Sequence, residues 1–217
     1  QKPSEAVSAE VKDLFAKNPH SFYDTYIAVV GRRPQPEKTL SRLEQLVDGS
    51  FKDLPSRSAA IKTLRRDVSI DNFLKGEPSN KGQFSIASVS GVGQAKLRYS
   101  GDTPDSLWNH FMRRHVFGDE SKIDDKKNPT IFEGYEHLRG QWKPNDRDKF
   151  VDIQRDVLRR VGDALAKPMR TRIERDQRDG NEYAHVVGVV GKEVIYVKVR
   201  SDGQIVQVIP GGDRWRK

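Results

Sequence analysis

The 217-residue chain contains no cysteine, so it forms neither disulfides nor thiolate zinc sites, and a cysteine nucleophile is excluded. No apolar run approaches the roughly 18 to 20 residues that cross a bilayer, so no stable membrane span is expected. The glycine-rich loop with lysine and serine or threonine that cradles nucleotide phosphates is also missing. The chain is therefore expected to fold by core packing alone.

Metal and serine chemistry also lack their usual signatures. The two-histidine motif with an intervening glutamate is absent, and no tight carboxylate cluster offers the oxygen ligands that Mg²⁺ or Ca²⁺ needs. His115 with Asp119 or Glu120 has helical spacing for a divalent ion, but this is not the favoured interpretation. No glycine-flanked serine follows a strand, so a Ser-His-Asp triad is unsupported. No metal and no other cofactor is predicted.

Positive charge, in contrast, is in excess. There are 39 Lys and Arg residues against 31 Asp and Glu residues, which gives a net charge of +8. This balance favours an anionic partner such as nucleic acid. The charges are spread along the chain, so folding must concentrate them to make a phosphate-binding surface. The first residue is Gln1 rather than Met, which is consistent with a piece of a longer protein and equally with a trimmed chain.

The spacing of apolar residues predicts a helical N-terminal domain over residues 1–80 and an α+β domain over residues 81–217. Apolar residues three or four apart indicate four short helices before Gly76, and the polar, glycine-containing stretch 76–82 indicates a linker. The second domain is expected to carry helices packed on a small antiparallel sheet. Its predicted elements are a hairpin at 84–99, a helix at 106–118, a long helix at 146–165, and a three-stranded meander at 183–190, 193–200 and 204–209.

The sharpest chemical feature is the pair His110 and His115, which lie on one predicted helix beside Arg113 and Arg114. An imidazole can take the proton from a ribose 2′-hydroxyl or give one to a leaving 5′-oxygen. A neighbouring guanidinium can hold the phosphate and stabilise its developing charge. At a spacing of five, the two rings share a site only if the helix ends near Gly118. The alternative is that both histidines are partly buried structural residues.

The remaining candidates are more dispersed. His137 is interpreted as a loop residue or a second catalytic histidine, and His20 as structural. His185 lies on a predicted strand and could face core, solvent or site. Lys198 and Tyr196 share one face of a strand by alternation, which fits either a phosphate contact or an ordinary solvated face.

The densest basic stretch lies between residues 159 and 178. It is interpreted as a solvated helix end and loop, with contact to an RNA backbone as the alternative. Its members are Arg159, Arg160, Arg170, Arg172, Arg175 and Arg178.

The histidine helix HFMRRHVFG, the long amphipathic helix and the strands of VIYVKVRSDGQIVQVIP resemble the ribonuclease toxin domains of the barnase, EndoU and colicin D group. The resemblance covers about residues 100–217. It implies cleavage of RNA, often tRNA, without a metal and with a 2′,3′-cyclic phosphate product. It also implies that His115 is the helix histidine, that Lys198 is the basic strand residue, and that His137 corresponds to the second histidine of the EndoU type.

The same resemblance implies a secreted or delivered toxin that acts in the cytoplasm of a target bacterium, as in contact-dependent inhibition and related bacterial competition. The helical N-terminal domain would then be a delivery domain, and a cognate immunity protein would neutralise the nuclease.

The predicted function is accordingly that of an endoribonuclease acting by general acid/base transesterification. The predicted catalytic residues are His115, His110, Lys198 and His137, and the predicted substrate contacts are Arg113, Arg114, Tyr196 and Arg200. One alternative is a non-catalytic nucleic-acid or protein-binding module of a phage or secretion system. Another is DNA cleavage, which would normally need a metal.

Overall fold

The computed structural model describes residues 4–30, 36–75, 83–98, 107–118, 131–143 and 149–211. Helices make up its first part and an antiparallel sheet its last, so the predicted α+β class is confirmed. The chain divides into two compact units, Gln1–Asn72 and Phe73–Lys217. The linker predicted at 76–82 lies outside the described residues, and the boundary near residue 80 stays a prediction.

The first unit contains four helices, as the apolar spacing predicts. They are α1 (Glu5–Lys17), α2 (Ser21–Val30), α3 (Pro36–Ser50) and α4 (Leu54–Lys75). The Ser4 side chain caps the start of α1, and α1 stops at Asn18 before Pro19, which cannot supply the next helical amide donor. The apolar faces meet in one core that contains Val11, Phe22, Tyr23, Leu43, Val47, Ala60, Leu64 and Val68.

Two buried carboxylates of α4 join this core to the start of α2. Nδ1 of His20 lies 2.9 and 3.0 Å from the two carboxylate oxygens of Asp67, and the Tyr23 hydroxyl donates to Asp71 at 2.6 Å. Asp67 and Asp71 are both almost fully buried. Such groups are tolerated in a core only when they are hydrogen-bonded or paired, so His20 has the structural role predicted for it.

The second unit begins with the predicted hairpin, β1 (Gln83–Val89) and β2 (Gly93–Arg98). The helix α5 (Leu107–Phe111) continues as a π-helical turn over Met112–Val116, and a short 3₁₀ helix covers Glu136–Leu138. The long helix, α6 (Val151–Ala166), begins five residues after the predicted start at Asp146.

The sheet has four antiparallel strands in the order β3-β4-β5-β6. They are β3 (Pro168–Arg175), β4 (Glu182–Val190), β5 (Glu193–Arg200) and β6 (Ile205–Pro210). The predicted three-stranded meander corresponds to β4, β5 and β6. The interpretation of residues 170–175 as a helix end and loop is wrong, because they form the edge strand β3. Its side chains are mostly exposed, so it lacks the apolar pattern of the central strands.

Helix α6 packs on one face of the sheet, which fixes where an exposed site can lie. Gly188 of β4 passes so close to the helix that a Cβ there would lie 2.5 Å from the Ala164 backbone. The residues of α6 that this packing buries include Val157, Leu158, Val161, Ala164 and Leu165. Side chains of the opposite face of the sheet point away from α6.

That opposite face has an apolar end and a polar end. The strand register places Val187, Val194, Tyr196 and Ile209 together as a small buried cluster. The polar end begins two residues away from Val187 along β4, where His185 pairs across the strands with Arg172 on one side and Lys198 on the other. The candidate active site lies in this polar half.

Candidate active site

The strand register brings the site residues together. His185 on β4 lies opposite Arg172 of β3 and Lys198 of β5. Glu174 and Tyr196 lie on the same face, because side chains two residues apart along a strand point the same way. Three neighbouring strands therefore supply an imidazole, a carboxylate, a phenol and two cationic groups to one patch.

His185 is at the centre of the contacts. Its Nδ1 lies 2.7 Å from the Tyr196 hydroxyl, and its Nε2 lies 3.6 Å from Oε2 of Glu174. The His185 and Tyr196 rings stand with their centroids 5.9 Å apart. The histidine side chain keeps 27% of its surface exposed, whereas Tyr196 is buried. A buried phenol thus holds one ring nitrogen while the other stays near a carboxylate and solvent.

Burial and the neighbouring charges together favour the neutral form of His185. Partial burial lowers the pKa of His185 below its ordinary 6.5, and the positive charges of Lys198 and Arg172 add to this fall. Glu174, the largest opposing influence, raises the pKa of His185, and Asp176 does so more weakly. Removing the carboxylate of Glu174 should therefore make the imidazole less basic.

Tyr196 stays protonated at every pH at which the protein would work. Burial, together with the negative charge of Glu174, raises the pKa of Tyr196 to about 12. Its hydroxyl can accept a hydrogen bond from a protonated Nδ1 of His185, which leaves the lone pair on Nε2. That tautomer makes Nε2 a proton acceptor on the exposed side of the ring.

The two cations of the site, Arg172 and Lys198, differ in how exposed and how tightly held their side chains are. Arg172 is 73% exposed and forms an ion pair with Glu174. Lys198 is 19% exposed, and its ammonium lies 3.6 Å from Asp176 and 4.0 Å from the centroid of the Tyr183 ring. Arg172 can reach an anion above the sheet by leaving a solvent-exposed partner, whereas Lys198 is held in place.

The predicted helix pair is split between core and surface. His115 is 7% exposed and packs near Phe111, with ring centroids 6.1 Å apart, and its backbone carbonyl accepts from the Phe132 amide at 2.8 Å. His110 is exposed, and desolvation followed by the charges of Arg114 and Arg113 lowers its pKa. The structure therefore does not bring the two imidazoles to one solvent-facing site, and their catalytic roles stay predictions.

The other predicted residues fall into two groups. Tyr196 and Lys198 are brought to His185. Arg200 lies on the same sheet face but is engaged by Asp202 in the next turn, at 2.6 Å. His137 lies exposed on the Glu136–Leu138 turn.

The structure does not bring the arginines of the basic stretch at residues 159–178 together on one surface. Arg160 forms ion pairs inside the second unit, with Asp156 at 2.9 Å and with the buried Glu193 at 3.3 Å. Arg172 belongs to β3, whose alternation sends Arg170, Arg172 and Glu174 to the face of His185.

Glu174 and the site role of Arg172 were missed from the sequence. The signal that could have found them is the period-two alternation of charge in RTRIER, residues 170–175. It is weak because an edge strand needs little apolar surface.

Among the described residues, no group of three or more His, Asp or Glu side chains is arranged to hold a metal ion. In the same residues, no helix has the length and apolarity to cross a membrane. Comparisons of the chain with protein-family models, with curated proteins and with solved structures find no match.

Proposed function

We propose that the second unit is an endoribonuclease that cleaves RNA, tRNA being the first substrate to try, by general acid/base transesterification at the polar half of its sheet. One observation carries the proposal: the His185 ring touches the Tyr196 hydroxyl at 2.7 Å and approaches Glu174 at 3.6 Å, beside Arg172 and Lys198. A partly exposed imidazole with a lowered pKa can act as the base when a phosphoryl group is transferred between ribose oxygens, and adjacent cations can stabilise the developing charge.

The contacts suggest a role for each group. Nε2 of His185 takes the proton of the ribose 2′-hydroxyl in the tautomer in which Nδ1 donates to the Tyr196 hydroxyl, and that contact holds the ring in place. The imidazolium that forms is stabilised by the Glu174 carboxylate nearby. The 2′-oxygen attacks phosphorus, the bond to the 5′-oxygen breaks, and a 2′,3′-cyclic phosphate remains. The leaving 5′-oxygen takes the proton from the His185 imidazolium, which returns the ring to its neutral form. Arg172 and Lys198 supply positive charge for the phosphate in the transition state.

The resemblance set out above extends the proposal. The chain would be part of a toxin delivered into the cytoplasm of a target bacterium, with the helical first unit serving delivery and a cognate immunity protein blocking the nuclease. The net charge of +8 supports an anionic substrate but does not select one RNA.

The test is cleavage of total cellular RNA and of purified tRNA by the full chain, with and without EDTA, followed by identification of the product ends. We expect discrete fragments with 2′,3′-cyclic phosphate ends under both conditions. The kcat/KM should rise with pH through the pKa of His185, which lies below 6.5, because only the neutral ring accepts the proton.

Two substitutions test whether catalysis depends on His185 and Glu174 of the sheet rather than on His110 and His115 of the helix. His185→Asn should lower kcat/KM by about a thousandfold with little change in thermal unfolding, since the side chain is partly exposed. Glu174→Gln should lower kcat and move the acid limb of the pH profile downward. The matched control is Glu44→Gln, which breaks an Arg–Glu pair with Arg65 in the first unit.

Other results would redirect the proposal. Full activity in His185→Asn with loss in His110→Asn would return the site to the helix. RNA binding that falls with salt, without any product, would favour the non-catalytic binding module. Cleavage that stops in EDTA would contradict the metal-independent mechanism.

A further inference from the structure

The turn at residues 176–181, which joins β3 to β4, is held together by two aspartates. Oδ1 of Asp176 accepts from the Arg178 amide at 2.9 Å, and Oδ1 of Asp179 accepts from the Asn181 amide at 2.9 Å. The hydrogen bond from the Arg178 amide lowers the pKa of Asp176, so its carboxylate stays ionised at neutral pH. One oxygen of each carboxylate is thus used within the turn.

The second oxygen of each aspartate is directed to the sheet. Oδ2 of Asp176 lies 3.6 Å from the ammonium of Lys198, and Oδ2 of Asp179 accepts the hydroxyl of Tyr183. Tyr183 is itself buried, and its ring lies under the same ammonium, 4.0 Å from the ring centroid. The turn therefore fixes both the carboxylate and the aromatic ring that contact Lys198.

This arrangement is unusual for a lysine that only has to attract an anion. A lysine side chain on an exposed strand is free to rotate, and a neighbouring carboxylate weakens its attraction for phosphate. Here the ammonium is held between a carboxylate and a ring face, and its residue pairs directly with His185. These contacts fix the position of the Lys198 ammonium but weaken its affinity for a phosphate.

We propose that Asp176 is a positioning residue, which together with Tyr183 fixes the ammonium of Lys198 beside His185 for a substrate phosphate. The inference rests on the proposed ribonuclease function, and it adds the 176–181 turn to the site. Asp176 acts through Lys198 and does not itself touch the substrate.

The test is the variant Asp176→Asn in the full chain. We expect kcat on RNA to fall about fivefold, because the ammonium loses its fixed place. We expect KM to fall about twofold, because a negative charge near the phosphate is removed. The acid limb of the pH profile should also move downward, since Asp176 raises the pKa of His185. Asp176→Glu, which keeps the charge, should recover much of kcat.

Two further variants guard the interpretation. Asp13→Asn breaks an exposed lysine–aspartate pair in the first unit and should change neither kinetic constant. Asp176→Ser removes the charge but keeps an oxygen that can accept the Arg178 amide, so it serves if Asp176→Asn fails to fold. A merely structural role would lower the thermal midpoint of Asp176→Asn and leave KM unchanged in the folded fraction, which would overturn the proposal.

Inorganic phosphate supplies a readout that does not depend on cleavage. Titration followed by the ring signals of His185 should give a dissociation constant about twofold lower in Asp176→Asn than in the unsubstituted chain. If the unsubstituted chain cleaves RNA but kcat and KM do not change in Asp176→Asn, the positioning role is wrong and the ribonuclease stands. If the chain does not cleave RNA, the proposed function fails, and equal phosphate affinity in the two proteins would reject the positioning role as well.

Discussion

His185 keeps part of its ring in solvent, and this exposure separates it from His115. His115 lies in an aromatic core at 7% exposure and presents little surface to a phosphate. The sequence around His115 is richer in arginine, which is why it attracts attention. Reactivity depends on access and on a partner that fixes the tautomer, and a short sequence motif reports neither.

The Tyr196 hydroxyl is the simplest single-atom test of this view. Tyr196→Phe removes the partner of Nδ1 but keeps the ring in the cluster with Val187 and Ile209. We expect kcat/KM to fall about fivefold, since one hydrogen bond that orients the base is worth roughly 1 kcal/mol. The KM for RNA should change little. Steady-state kinetics on a defined RNA, with the thermal midpoint measured in parallel, checks both statements.

Tyr135→Phe is the matched control, because it also removes a phenol hydroxyl, one that donates to Asp156 away from the sheet strands. Equal losses of activity in the two variants would point to a general effect on folding and would contradict a specific role for Tyr196.

At the scale of elements, periodicity predicted most of the fold and missed one strand. The helices of the first unit and strands β4 to β6 follow from apolar spacing, because their cores require it. Strand β3 carries exposed side chains on both faces and gives no apolar signal. Yet β3 contributes Arg172 and Glu174, so the least predictable strand carries two of the five side chains of the candidate site. Edge strands that bind a ligand are selected for their surface, and core patterns do not describe them.

The contact between α6 and β4 sets the position of His185 from the far side of the sheet. Gly188→Ala would place a Cβ 2.5 Å from the Ala164 backbone, so α6 must move. We expect a loss of about 2 kcal/mol in the free energy of unfolding, the usual cost of overpacking a core. Chemical denaturation of the two proteins measures it. The variant also tests whether this tight contact supports activity, since displacement of β4 would move His185.

A double-mutant cycle isolates the contact. Ala164→Gly removes only the Ala164 Cβ, 2.7 Å from the new methyl carbon, and leaves the backbone contacts at 2.5 Å, so in the Gly188→Ala background it should recover only a small part of the lost stability. By itself Ala164→Gly should cost about 1 kcal/mol, as glycine does within a helix. Strict additivity of the two substitutions would show that the crowding is against the backbone of α6 and not against the Ala164 side chain.

At the scale of the whole molecule, the net charge of +8 coexists with a candidate site of mixed sign. Arg172 and Lys198 are each paired with a carboxylate, Glu174 and Asp176. General attraction of RNA would then come from the excess charge of the whole chain, while the site contributes a few well-placed cations. These two contributions differ in their dependence on salt, because each phosphate that is neutralised releases bound counterions.

Arg172 is the cation through which this division can be measured. It is exposed, and its direct ion pair with Glu174 lies at the surface, so a substrate phosphate can take the place of Glu174 at its guanidinium. In Arg172→Gln, the slope of log KM against log salt should fall by about 0.7, the value for one phosphate contact on a single strand. Arg65→Gln removes an exposed, glutamate-paired arginine of the first unit and should leave that slope unchanged. An unaltered slope in Arg172→Gln would show that Arg172 does not contact the phosphate and only pairs with Glu174. In that case kcat and the pH profile would change, while the dependence of KM on salt would stay that of the unsubstituted chain.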